Sequence, residues 1–232
     1  MNNIIPQEQL IIINQSMINQ KLNRSRLKKT KILSQVLACF PFVRCVILNG
    51  SLAQNKSKQS SDIDLLIITK TKRIFSARFF IVLFSSIIGI KRSRDTDHDH
   101  SGKYCFNYFL IEDYLQIPTG RGEKIDQYCA DNYSHSLFLA GSPEIFNKFF
   151  EANTKLFQKY GYKSQKIEIK SSRGNRCLVS LFQQFIELFF GNWFEDSVKK
   201  YQIKRIKNDP ITRLYPDLIV YNDCELRFHP PK

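Results

Sequence analysis

The chain has 232 residues, 35 Lys+Arg against 21 Asp+Glu for a formal charge of +14, and 43% hydrophobic residues. This composition excludes a disordered chain, and nine glycines and eight prolines exclude collagen-like or low-complexity architectures. The positive balance suits a polyanionic partner (RNA or other nucleic acid, a nucleotide, an acidic protein), and it equally suits Lys-rich faces that only keep the chain in solution.

Residues 7–38 are predicted helical, with a basic stretch of Lys21, Arg24, Arg26, Lys28, Lys29 and Lys31 that contains no acid, and Pro41 ends the helix. A short β-rich run, Phe42–Leu48, follows and is broken by Asn49-Gly50-Ser51. The polar stretch Gln54–Ser61 reads as a loop or short helical turn, and Ile63–Thr69 as a strand apolar on both faces and therefore central. Residues 73–90 suit a buried helix and 91–103 a polar loop, and Tyr104–Ile111 is a third strand. Beyond Pro118 helices are expected over about 123–139 and 143–158, the latter with Ser142 as cap and Pro143 at its first position. A last helix runs over about 176–207, with apolar positions 178, 181, 182, 185, 189 and 193 at helical spacing. Trp193, Phe194, Val198, Tyr201 and Ile206 are then packed and the lysines outward. Residues 217–228 suit a short hairpin about Asn222-Asp223.

No apolar run reaches the roughly 18–20 residues a membrane span requires; Phe79–Ile90 has twelve. The N-terminus lacks a basic region and a small-residue cleavage site. The six cysteines, at 39, 45, 105, 129, 177 and 224, form no C-x-x-C pair, and four stand in apolar stretches where a free thiol acts as a small hydrophobe. A reduced, cytoplasmic protein with no membrane partner is the expectation.

The informative segment is Val46–Ile68. One strand delivers Gly50-Ser51, ten residues intervene, and a second strand opens with Asp62-Ile63-Asp64. Period-2 alternation puts Asp62 and Asp64 on one face with Ile63 turned into the core. Two carboxylates held this way repel each other unless a cation lies between them. Mg²⁺ is the natural occupant, since it takes carboxylate oxygens together with substrate phosphates. Gly50, without a side chain, lets a phosphate approach the backbone, and Ser51 offers a hydroxyl and an N–H. Lys56 and Lys58, inside the spacer, stand within reach of a triphosphate. A strand–turn–strand whose acids only cap a sheet edge is the plainer alternative.

This arrangement of apolar strand, Gly50-Ser51, spacer, Asp62-x-Asp64 and apolar strand resembles the DNA polymerase β-like nucleotidyltransferase superfamily over residues 42–69, and more loosely through residue 113. The resemblance implies an α/β (α+β) fold, a small mixed-sheet nucleotidyltransferase core at 35–117 between an N-terminal helical segment at 1–34 and a helical domain at 118–210, with a C-terminal tail at 211–232. It implies transfer of a nucleoside monophosphate from an NTP such as ATP to an acceptor hydroxyl, with release of pyrophosphate. Asp62 and Asp64 would be catalytic and hold Mg²⁺ (or Mn²⁺), and Gly50, Ser51 and Lys56 would bind the nucleotide. The family takes a third carboxylate from the next long strand, here Tyr104–Ile111, whose central polar residue is Asn107. An amide oxygen can ligate a metal but carries no charge and is no base at neutral pH. Asn107 is thus a third ligand or a hydrogen-bonded core amide, and Glu112 or Asp113 at the strand's end are other sources of the acid. A second reading follows: a catalytically degenerate nucleotidyltransferase-fold module, antitoxin-like, binding nucleotide, RNA or a partner protein. A third takes the charge alone as general nucleic-acid binding.

Elsewhere, Asp95, Asp97, His98, Asp99 and His100 offer ligands without a recognised metal spacing, and His135 and His229 are isolated. Gly120-Arg121-Gly122 is too short for a P-loop. Basic clusters also stand at Lys91, Arg92, Arg94 and at Lys199, Lys200, Lys204, Arg205, Lys207.

Overall fold

The computed structural model describes residues 7–92, 101–120, 122–162 and 176–228. In chain order the elements are α1 (Gln7–Ala38), β1 (Val43–Asn49), α2 (Gly50–Ala53), β2 (Ile63–Thr69), α3 (Ile74–Ile87), β3 (Tyr104–Ile111) and α4 (Glu123–Ser134). They continue with β4 (Leu137–Gly141), α5 (Pro143–Lys159), α6 (Arg176–Phe189), α7 (Asn192–Lys207), α8 (Pro210–Leu214), β5 (Val220–Tyr221) and β6 (Glu225–Arg227). The strands form a mixed sheet in the order β4-β1-β2-β3-β6-β5, with β2 and β3 parallel and the other neighbours antiparallel. The fold is α+β. β4 and β6, from beyond residue 117, pair with β1 and β3, so the sheet draws on the whole chain.

The sheet is covered on both faces, which is why β2 is apolar on both. Ile63, Leu65 and Ile67 join a core with Leu37 of α1, Phe75 and Ile81 of α3 and Val198 of α7. Leu66 and Ile68 join the opposite core, with Ala130 and Tyr133 of α4 and Phe146, Phe149 and Phe157 of α5. The inward stripe of α1 is largely polar: Asn23, Arg26, Thr30 and Ser34 are buried along with Leu37. The first of these reach the segment between β1 and β2.

Most boundaries follow the sequence pattern, including Ser142, whose Oγ accepts from Ile145 N at 3.2 Å, and Pro143 in the first turn of α5. Three do not. The helix expected over 123–139 ends at Ser134, and Leu137–Gly141 becomes β4; a four-residue apolar run carries no periodicity that separates strand from helix. Gly141, at φ +95, lies against the backbone of Arg44, so β4 can close on β1 there only without a Cβ.

The helix expected over 176–207 breaks at Phe190-Gly191 into α6 and α7. The break resets the helical phase, so Trp193 and Tyr201 are 67% and 57% exposed, while Val198 and Ile206 are buried as expected. Phe185 and Phe189 also face outward. Two of the inward positions are acidic. Glu187 accepts from Phe42 N–H and pairs with Arg44 and Lys70. Glu195 accepts from Phe75 N and Ser76 N at 3.0 and 2.8 Å, capping a helix that has no side-chain cap of its own. The helix expected to be buried over 73–90 is so only in its first part, for Leu83, Ile87 and Ile88 are exposed.

No helix among the described residues is long and apolar enough to cross a membrane. Cys39, Cys45, Cys105, Cys129 and Cys224 are free thiols.

Candidate functional site

Strand direction assembles the site. β1 runs antiparallel to β2, and β3 parallel to it, so the end of β1 and the beginnings of β2 and β3 meet at one margin of the sheet. In register, Asn49 stands opposite Asp64, and Asp64 opposite Cys105. Asp62 and Asp64 share the face that Leu66 and Ile68 continue, as alternation requires, and Ile63 is buried on the other.

At Gly50 the chain turns with φ +71, and a Cβ there would clash with Asp64 Oδ2. The glycine is therefore required twice, for a left-handed backbone and for close approach to a carboxylate. Gly50 and Ser51 open α2, whose first N–H groups have no partner within the helical turn. Asn49 is buried and its Oδ1 accepts from Ser136 Oγ, tying the turn to the chain ahead of β4.

The spacer between the turn and the two acids is held from α1. Arg26, 7% exposed, donates to Ser57 Oγ at 2.9 Å, Lys58 O at 2.7 Å and Gln59 O at 2.6 Å, and also to Ser101 Oγ at 3.2 Å. Asn23 donates to Asn55 O and Oδ1. Part of the basic stretch of α1 is thus structural rather than a solvated face.

Around these groups lies a cleft of about 570 Å³, a volume suited to a small-molecule or nucleotide ligand. Every site residue read from the sequence lines it: Gly50, Ser51, Lys56, Asp62, Asp64 and Asn107. Lys58 does not. Its carbonyl serves Arg26 and its side chain is exposed. The far wall is α4, with Tyr128, Cys129, Asp131 and Asn132, and Arg227 of β6 enters from the C-terminal hairpin. Cationic Lys56, Arg92 and Arg227 therefore line the same space as Asp62, Asp64 and Asp131.

Asn107 shares the cleft face with Cys105 by alternation, and a bulge after it puts Tyr108 on that face too. Two steps along β2, Asp64 to Leu66, match three along β3, Cys105 to Tyr108. Glu112 and Asp113 do not take the third acid's place. They lie past the opposite end of β3, about 20 Å along the strand from Cys105, where Glu112 faces Arg44 at 3.9 Å and Asp113 accepts from Thr71 Oγ1.

The group that completes the cluster is Cys105. Its Sγ and one carboxylate oxygen from each of Asp62 and Asp64 all lie within 4.8 Å of one another. Burial pushes the Cys105 thiol well above its ordinary range, the charges of Asp64 and Asp62 push it further, and its proton is donated to Asp64. Arg92 opposes that shift and forms an ion pair with Asp62 Oδ2. The Tyr128 phenol is raised to about 12, first by burial and then by the charge of Asp64.

The donor set fits a hard divalent cation: two ionisable carboxylates on one face, an amide in the adjoining wall, and room for water and phosphate oxygens. In the sequence Cys105 reads as core, because it stands in the apolar run Tyr104–Ile111. The parallel pairing of β2 with β3 was the missing information, since it sets the first residues of the two strands side by side. Arg92 was visible only as one of a basic cluster, and Arg227 had no signal at all. His135 is structural, with Nδ1 2.8 Å from Asp131 O and its ring edge-on to Tyr162. Asp95–His100, Arg94, Arg121 and His229 lie outside the described residues.

No protein-family model matches the chain, and no curated protein matches it. Among solved structures, a crystal structure of a toxin–antitoxin with AMP-PNP is similar at 15% identity and a TM-score of 0.31, over 70% of this chain and 98% of that one.

Proposed function

We propose that this protein is a metal-dependent nucleotidyltransferase that moves a nucleoside monophosphate from an NTP to an acceptor hydroxyl. The observation that carries this reading is the contact between the turn at Gly50 and the carboxylate of Asp64. It sets a backbone open to phosphate beside a pair of metal-binding acids, inside a cleft of nucleotide size. The sequence resemblance set out above points the same way.

In this reading Asp62 and Asp64, with Asn107 alongside, would hold Mg²⁺ or Mn²⁺, which would supply charge neutralisation at the α-phosphate. Gly50 and Ser51 seat the β- and γ-phosphates through backbone N–H groups and the Ser51 hydroxyl. Lys56, Arg92 and Arg227 offset the charge of the triphosphate. The acceptor hydroxyl gives its proton to solvent water as its oxygen forms a bond to the α-phosphorus, the bond from that phosphorus to the bridging oxygen breaks, and pyrophosphate leaves. The acceptor is a hydroxyl-bearing molecule, and the +14 charge suits an RNA or another acidic partner.

A second reading is favoured by one specific feature. With Asn107 in the middle of β3, the strand from which the resemblance implies a third acid, no other carboxylate among the described residues joins the cluster of Asp62 and Asp64, and a module that binds nucleotide without turnover has the same walls.

Thermal denaturation with each NTP, with and without Mg²⁺, tests both on wild type and the Asp62→Asn/Asp64→Asn variant. Ligand at about 100 times its Kd adds about 2.7 kcal/mol, which for this length is a Tm rise of roughly 5–10 °C. The expected result is a Mg²⁺-dependent rise that the double variant loses. No rise with any NTP overturns the nucleotide assignment. A rise without pyrophosphate release in the presence of acceptors selects the second reading.

A further inference from the structure

The third donor beside the two acids is sulfur, and sulfur changes which metals the cluster prefers. Asp64 and Cys105 are register partners on adjacent parallel strands, so backbone pairing rather than side-chain freedom brings the thiol to the carboxylates. Asp62 is one alternation away on the same face. One atom from each lies within 4.8 Å of the other two. Ligands of a common ion at metal–oxygen distances of about 2.0–2.2 Å and metal–sulfur distances of about 2.3 Å lie somewhat closer together than that, so a shift of side-chain torsions brings them onto one ion. Hard Mg²⁺ takes oxygen and leaves the sulfur unused, whereas borderline ions such as Zn²⁺ and Co²⁺ take thiolate and carboxylate together. Three protein ligands at the margin of a cleft also leave a position open for water or a ligand oxygen, the form that catalytic zinc sites take.

We propose that Asp62, Asp64 and Cys105 form a carboxylate–carboxylate–thiolate site for a borderline-soft divalent cation of the Zn²⁺ class, which competes with Mg²⁺ for the two carboxylates. Binding exchanges the thiol proton, released to solvent, for the metal. This deepens the nucleotidyltransferase reading and rests on it for the role of the competing Mg²⁺. The consequence for that role is direct: micromolar zinc displaces the hard ion and lowers Mg²⁺-dependent nucleotide binding, which a third carboxylate in place of the thiol would make less pronounced.

The test uses the full chain and Co²⁺, whose bond to thiolate gives a near-ultraviolet charge-transfer band that oxygen ligands do not produce. Wild type is expected to develop the band with one equivalent of Co²⁺, and Zn²⁺ is expected to abolish it where a large excess of Mg²⁺ does not. Cys105→Ser should lose the band. Cys129→Ser, removing the other cysteine that lines the cleft, should keep it. Because a buried substitution can unfold the chain, Asp62→Asn provides a second readout, a band that requires at least tenfold more Co²⁺. No band in folded wild type overturns the proposal, as does a band that survives in Cys105→Ser. The thermal shift with Mg²⁺ and NTP is read on the same samples. A shift without the band removes the soft-metal site and leaves the nucleotide reading, and a band without the shift does the reverse.

Discussion

Gly50 lies so close to Asp64 that a methyl group added at position 50 would run into the carboxylate's Oδ2, with Cγ at 3.2 Å and Cβ at 3.3 Å. The contact joins the turn after β1 to the second acid of β2, so one substitution tests both. In Gly50→Ala the left-handed backbone costs about 1–2 kcal/mol, and Asp64 must move. Urea denaturation is expected to show that loss of stability, and the Mg²⁺·NTP thermal shift is expected to vanish. A variant that keeps both stability and the shift removes Gly50 from the site.

Arg26 is predicted to order the spacer. Arg26→Met keeps the aliphatic stem and removes the donors to Ser57, Lys58, Gln59 and Ser101. Hydrogen bonds from a charged donor contribute about 1.5–3 kcal/mol each, so a net loss of about 2–4 kcal/mol is expected. Amide exchange should accelerate first at residues 57–61, while the middle of β2 stays protected. Uniform exchange across both segments would contradict this.

Glu195 supplies the cap that α3 lacks. Glu195→Ala strands the N–H groups of Phe75 and Ser76 in a buried place, at a cost of about 2–3 kcal/mol. That amounts to a Tm fall of roughly 4–12 °C for a chain this long. Glu195→Gln, whose amide retains one acceptor oxygen, should lose less. Because Glu195 serves the face of the sheet away from the cleft, nucleotide and metal affinity should not change. An equal loss for both variants would show that the two accepted hydrogen bonds are not the cause.

Glu187 links stability to acid. Burial alone would raise its carboxyl, but hydrogen bonds from Arg44 and the Phe42 N–H, the Arg44 charge and the Lys70 contact prevail and hold it below its ordinary 4.5. A carboxyl lowered by folding contributes stability that is fully present above its unfolded value and is lost as pH falls through the folded one. The Tm should therefore fall from about pH 5 downward, and Glu187→Gln should flatten that part of the profile while lowering the Tm near pH 7. An unchanged acid limb in Glu187→Gln would assign the acid sensitivity to other carboxylates.

Much of this protein was legible along the chain because the determining interactions are local. The apolar period of β2, Pro41, the Ser142-Pro143 start of α5 and the hairpin at 220–227 all depend on residues a few positions apart. So does the shared face of Asp62 and Asp64. Only the tertiary structure decided the rest. It turned Leu137–Gly141 into a strand because β1 offered an unpaired edge, and it split α6 from α7 so that Trp193 faces solvent. It buried Arg26 among loop carbonyls 32 and 33 residues away. Above all, the parallel pairing of β2 with β3 put Cys105 beside Asp64. Strand pairing is set by which edges are free to hydrogen-bond across the fold, a relation that no spacing within a single segment encodes.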